Sequence, residues 1–149
     1  MSRESPALAQ GASESRLLDA YRATRYRVEA PGFAAIDLTI GRRSPAIERL
    51  LAKRGERGGA FITAWNPLSQ RMSDEENARA QRALERDVER LGFSAIPGAG
   101  IGDDASWTPE RSLFVCGLPR AAARRLAKKY RQHAFVYVRA GARAELIVS

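Results

Sequence analysis

Phe61–Gln81, FITAWNPLSQRMSDEENARAQ, reads as a buried strand, a tight polar loop and the first turns of a helix. Ala60–Trp65 is short, nearly all apolar and preceded by Gly58-Gly59, which suits a strand covered on both faces. Asn66-Pro67 should stop it, because proline has no amide donor and steers Asn66 toward an extended conformation. Ser73-Asp74-Glu75-Glu76 is a capping box whose acids suit the positive end of a helix dipole. The helix is expected from about Asp74 to Leu91, with Gly92 ending it. Ala80, Leu84, Val88 and Leu91 share one stripe of that helix, and Asn77 and Gln81 lie on the same stripe, where a purely structural helix prefers apolar residues. Ligands of open α/β sheets collect beyond the carboxyl ends of strands. Thr63, Trp65, Asn66, Asn77 and Gln81 are therefore candidate ligand-binding residues. The plainer alternative is a simple turn at Asn66-Pro67 with Asn77 bonding the loop backbone.

Working outward, Ser13–Thr24 has helical spacing at Leu17, Leu18 and Tyr21. Arg25–Glu29 and Ala35–Ile40 alternate as the arms of a hairpin around Ala30-Pro31-Gly32. Ser44-Pro45 opens a helix with the stripe Ile47, Leu50 and Leu51. Downstream, Phe93–Ile96 is a short strand, followed by a loop of about 15 residues from Pro97 to Arg111. Ser112–Leu118 is a central strand, Pro119–Arg131 a helix, and Ala134–Val138 and Ala144–Val148 a terminal hairpin. The expected architecture is α/β (α+β): one domain over 13–149, a mixed sheet of six or seven strands with helices packed on it, and a flexible lead-in over 1–12.

The 149 residues suffice for one sizeable core, and 44% hydrophobic content indicates a globular chain. No apolar run approaches the ~18 residues of a membrane helix. MSRESPALAQGASES lacks the apolar centre of a signal peptide, so a cytoplasmic location and no membrane partner are expected. The net charge is +8. Residues 1–110 carry 16 basic and 16 acidic groups, whereas 111–149 carry nine basic groups against Glu145 alone. That asymmetry points to an anionic partner. Arg120, Arg124, Arg125, Lys128 and Lys129 form the outward side of the Pro119–Arg131 helix, as a phosphate-binding or acidic-partner surface or as an ordinary solvated face.

Other chemistry is sparse. The glycines of Pro97–Gly102 do not make a Walker loop, and Asp103 stands where a dinucleotide fingerprint needs its third glycine. Trp107 either plugs the edge of the core or offers a stacking face. Glu110, at the entry to the central strand, is the candidate acid–base. Cys116 reads as an inert buried thiol. His133 is the single histidine, at a helix end, and reads as structural. No spacing suggests a metal site, and no cofactor is implied.

Several short runs together resemble a known family. They are Tyr21-Arg22-Ala23-Thr24-x-Tyr26, Phe61–Pro67 with Ser69, Glu76-Asn77, Pro97-Gly98-x-Gly100, Trp107-x-x-Glu110-x-Ser112 and Gln132-x-Ala134-Phe135-Val136-Tyr137. In this order and spacing they resemble the bacterial family of unknown function numbered 3293, over about residues 18–148. The family pattern has Gly-Gln-Asn before its Ala-Phe-Val-Tyr run, where this chain has Arg131-Gln132-His133. The resemblance implies a small bacterial α/β domain, supplies no activity, and brings Gln132 into the candidate ligand-binding set. Three functions stay open. The first is binding of an anionic ligand, RNA or a nucleotide, at the Thr63–Asn77 unit, with tryptophan stacking. The second is an enzyme on a small polar or phosphorylated substrate, with Glu110 as acid–base and Asn66 and Thr63 orienting the substrate. The third is a protein-interaction module, whose partner the basic surface would make acidic.

Overall fold

The computed structural model describes residues 6–103 and 108–149, with side chains from residue 15 onward. The elements are α1 (Pro6–Ala23), β1 (Arg25–Val28), β2 (Ile36–Leu38), α2 (Pro45–Lys53), β3 (Gly58–Ile62), α3 (Asp74–Arg90), β4 (Ala95–Ile101), β5 (Glu110–Cys116), α4 (Arg120–Lys129), β6 (Ala134–Arg139) and β7 (Glu145–Val148). Two helix starts, those of α2 and α3, follow the side chains expected to cap them. Ser44 Oγ accepts from the Ile47 amide at 3.1 Å, with Pro45 next to it. Ser73 Oγ accepts from the Glu76 amide at 3.1 Å and donates to the Glu76 carboxylate at 3.0 Å. Each such cap contributes about 1 kcal/mol.

The seven strands form one sheet in the order β2-β1-β4-β5-β3-β6-β7. The single α/β domain is as expected, but the mixed sheet is not: all six pairings are antiparallel. The α3 and α4 crossovers each skip one strand. β3 and β4, joined by α3, run in the same direction but have β5 between them. β5 and β6, joined by α4, have β3 between them. Two interlocked split βαβ units of this kind make the ferredoxin-like arrangement. The β1–β2 hairpin extends it beyond β4 and β7 extends it beyond β6.

Both sheet faces are covered. On one, Phe61, Phe114, Val136 and Val138 pack with Ile47, Leu50 and Leu51 of α2, and Tyr21 of α1 leans on that cluster. On the other, Ala60, Ile62, Leu113 and Val115 pack with Leu84 and Val88 of α3 and Ala123, Leu126 and Ala127 of α4. The period-two alternation of β3 thus feeds both cores, as a strand buried on two faces requires.

Several boundaries differ from the sequence expectation. α1 begins at Pro6 rather than Ser13. β3 ends at Ile62 rather than Trp65, because side chains take over the backbone hydrogen bonds beyond it. β4 runs on to Ile101, so Gly98 and Gly100 are sheet residues paired with β1 and β5, not the start of a long loop. At Gly98 the missing side chain is what allows the pairing: a Cβ there would sit 2.5 Å from the Arg27 carbonyl oxygen and 3.0 Å from the Phe61 ring. Leu91 caps the end of α3 and is 49% exposed instead of completing the buried stripe. Among the described residues, no helix is long and apolar enough to cross a membrane.

Candidate functional site

Beyond Ile62 the chain leaves the sheet and is held by side chains. Thr63 Oγ1 donates to the Arg111 carbonyl at 2.6 Å and accepts from the Trp65 amide at 3.0 Å. The Ala64 amide donates to Gln81 Oε1 at 3.0 Å. Asn66 is the hub. Its amide donates to Asn77 Oδ1 at 2.8 Å, and its Oδ1 accepts from Asn77 Nδ2 at 2.8 Å and from the Met72 amide at 3.1 Å. Its remaining group, Nδ2, donates to Glu110 Oε1 at 3.1 Å.

This network explains a departure from expectation. Asn66 is not extended before Pro67 but left-handed, with φ 45° and ψ 68°. Leu68 (φ 53°), Ser69 (φ 59°) and, across the loop, Arg131 (φ 55°) are left-handed too. Asparagine tolerates that region; leucine and arginine do so at a cost of order 1–3 kcal/mol each. The Leu68 amide donates to the Arg131 carbonyl at 2.7 Å, so two of the strained residues hold each other. Asn77 and Gln81 are 2% and 6% exposed. Their oxygens bind loop amides, the plainer of the two roles considered above, while Gln81 Nε2 has no protein partner.

Glu110 begins β5 at the middle of the sheet, half-buried. Burial pushes its carboxyl above the ordinary range, and the Asn66 hydrogen bond offsets part of that. Tyr21 lies close enough to feel it: burial first, then the Glu110 charge, push its phenol up to about 12, against a backbone hydrogen bond from Ala134. A carboxyl raised in this way is neutral over more of the pH range in the folded protein than in the unfolded chain. Its stabilising effect is full below the unfolded value and is lost as pH rises through the folded one. Glu110→Gln keeps the acceptor for Asn66 Nδ2 and removes the buried charge. The variant should be more stable than wild type at pH 7, with the gain fading toward ~pH 4, in paired urea titrations. A gain that persists unchanged at acid pH would contradict the assignment.

Gln132 joins the loop from the α4–β6 connection, where its Nε2 donates to the carbonyls of Trp65 and Tyr130 at 3.2 Å each. Trp65 is half-buried, and its ring already carries the Arg111 guanidinium 5.9 Å from its centroid. Thr63, Trp65, Asn66, Asn77, Gln81, Glu110 and Gln132 are therefore brought together. Trp107 lies outside the described residues. The α4 cations are dispersed: Arg120 pairs with Glu145 at 2.7 Å and caps the Tyr137 ring, and Lys129 pairs with Asp87 at 2.7 Å. Arg124 is exposed, and Arg125 and Lys128 face two different depressions.

One of these depressions adjoins the network. It is a cleft of about 550 Å³ whose apolar lining is Leu17, Leu18, Leu68 and Val148. Its polar lining is Lys128, Arg131, Gln132, His133 and Ser149, with Tyr21 also on its wall. Gln132 and Leu68 belong to both cleft and loop. Arg131, His133 and Tyr21 had no binding role in the sequence expectation. Nothing in their spacing links α1, the α4–β6 connection and the end of β7.

Residues 62–135 match the model of a family described as a protein of unknown function, DUF3293. This part of the chain belongs to that family. The DUF3293 segment runs from the end of β3 into β6 and holds the Asn66 network entire, whereas Tyr21 and the β7 side of the cleft lie outside it. No curated protein and no solved structure matches the chain.

Proposed function

We propose that the protein binds a small anionic ligand of nucleotide size in the cleft beside the 66–69 loop. The observation that supports this reading is the composition of the cleft wall: Lys128, Arg131 and His133 lie on it with no acidic side chain, together with apolar Leu17, Leu18, Leu68 and Val148. A volume of about 550 Å³ is in the range of small-ligand pockets. Lys128 and Arg131 would hold phosphate and Gln132 a polar edge, while Leu17, Leu18 and Leu68 cover the ligand's body. RNA is less well supported as the ligand. Ferredoxin-like RNA binders stack bases on an open sheet face, and here both faces carry helices.

Calorimetric titration with AMP, ADP, ATP and a single-stranded RNA oligomer at ~50 mM salt tests the reading, since charge-driven binding weakens with screening. Lys128→Glu reverses an exposed charge and should weaken nucleotide binding about tenfold or more without shifting the unfolding midpoint. Absence of binding by any nucleotide at millimolar concentration defeats the proposal. Preference for the RNA oligomer would transfer it to nucleic acid.

A second reading is favoured by Glu110. A half-buried carboxyl with a raised pKa, fixed by Asn66 on a strained loop and near the Tyr21 phenol, has the attributes of a general acid–base. In that reading the substrate sits at the Asn66–Glu110 edge of the loop, since Glu110 does not line the cleft. Glu110→Gln would then abolish turnover while leaving ligand affinity within about twofold.

A further inference from the structure

A second depression, about 270 Å³, lies between α3 and α4 on the outer side of the second core. It shares no lining residue with the cleft. Ala122 and Leu126 line its base, and Leu91 stands at one end, 49% exposed. Arg90, Arg125 and Lys129 rim it. Its single acidic residue, Asp87, is already engaged: Lys129 Nζ lies at 2.7 Å, the Tyr130 hydroxyl donates at 2.6 Å, and Arg90 is 3.7 Å away. Those contacts, Lys129 foremost, hold the Asp87 carboxyl below its usual range, so it stays charged and matched. Among the described residues no ion pair engages Arg125, and α4 itself contains no acid. An apolar base thus sits beneath a rim of three cations that share one acid, with Arg125 left unmatched.

We propose that this groove docks an acidic amphipathic helix of a partner protein. Apolar residues of the partner at helical spacing would cover Leu91, the exposed leucine of the groove, and its flanking Asp or Glu would meet Arg90 and Arg125. The occupant follows from two complementary features. RNA satisfies the cations but has no aliphatic side chain to place on Leu91. A neutral apolar helix satisfies the base and leaves Arg125 unmatched.

The test is fluorescence anisotropy at ~150 mM salt with a labelled synthetic helix carrying leucines at i, i+4 and i+7 and glutamates elsewhere. A scrambled peptide of identical composition and a single-stranded RNA oligomer serve as competitors. The striped peptide should bind at least about tenfold more tightly than the scrambled one. The Arg125→Glu variant should lose at least that factor while keeping the wild-type unfolding midpoint, since that side chain is exposed and makes no ion pair among the described residues. Leu91→Ser gives an independent check, removing apolar contact without touching charge, and should weaken the striped peptide selectively. Equal binding of the scrambled peptide, displacement by RNA at lower concentration, or unchanged binding by both variants each overturns the proposal. Nucleotide binding in the cleft is untouched by any of these outcomes.

Discussion

Asn77→Ala is expected to lower the unfolding free energy by about 3 kcal/mol. Asn77 is 2% exposed and makes two 2.8 Å hydrogen bonds with Asn66, one as acceptor from its amide and one as donor to its Oδ1. Alanine removes both and leaves the Asn66 amide without its partner while Asn66 remains left-handed before proline. A typical hydrogen bond contributes about 1 kcal/mol net, and an orphaned buried group costs about 1–3 more. The loss should appear in urea titrations as a lower midpoint at unchanged slope. Asn77→Asp separates the two bonds. It keeps an acceptor for the Asn66 amide but turns a carboxylate oxygen toward Asn66 Oδ1. It should be as damaging at pH 7 and partly recover at ~pH 4, where the new acid is protonated. A cost below ~1 kcal/mol for the alanine variant would mean that the loop is held by something other than this pair.

The second large effect belongs to a residue with no side chain. Gly98→Ala should destabilise by about 3 kcal/mol, the upper part of the range for overpacked sites. The new methyl would press on the Arg27 carbonyl, which is backbone and cannot swing away, and on the Phe61 ring, which already meets Tyr26 edge-on at 5.2 Å. Gly100→Ala is the matched control. Two residues along the same strand and on the same face, its Cβ would find only the Thr24 methyl at 3.8 Å. It should be neutral or slightly stabilising, since alanine restricts the unfolded chain. Similar losses at both positions would show that glycine flexibility, rather than space, is what β4 requires.

These two positions also show where the sequence was readable and where it was not. The starts of α2, α3 and α4, the hairpins and the presence of β3 were legible because periodicity and capping are local properties. The anomaly of Asn77 and Gln81 on an apolar stripe was legible too, and so was a loop-bonding role for Asn77, but the particular partners were not: those lie 11 and 17 residues away, on a loop whose handedness the side chains themselves impose. Pro97–Gly100 has a loop composition, yet it is strand because β1 and β5 flank it and need its bare backbone. Strand direction was not legible, since nothing local records that a crossover skips a neighbour. The cleft was the least accessible feature, as its walls come from four separated segments and Arg131 and His133 carry no pattern.

The position of β3 has a consequence for how the chain acquires its shape during synthesis. Residues 58–62 sit near the middle of the sheet, yet both of their neighbours, 110–116 and 134–139, are translated much later. A nascent chain of a hundred residues already holds the Gly-Gly-Ala-Phe-Ile segment with neither edge occupied. Completion must await almost the last residues, so refolding should fall in the slower, millisecond-to-second class set by distant contacts. Until then an apolar ribbon with two open edges is on offer to other chains.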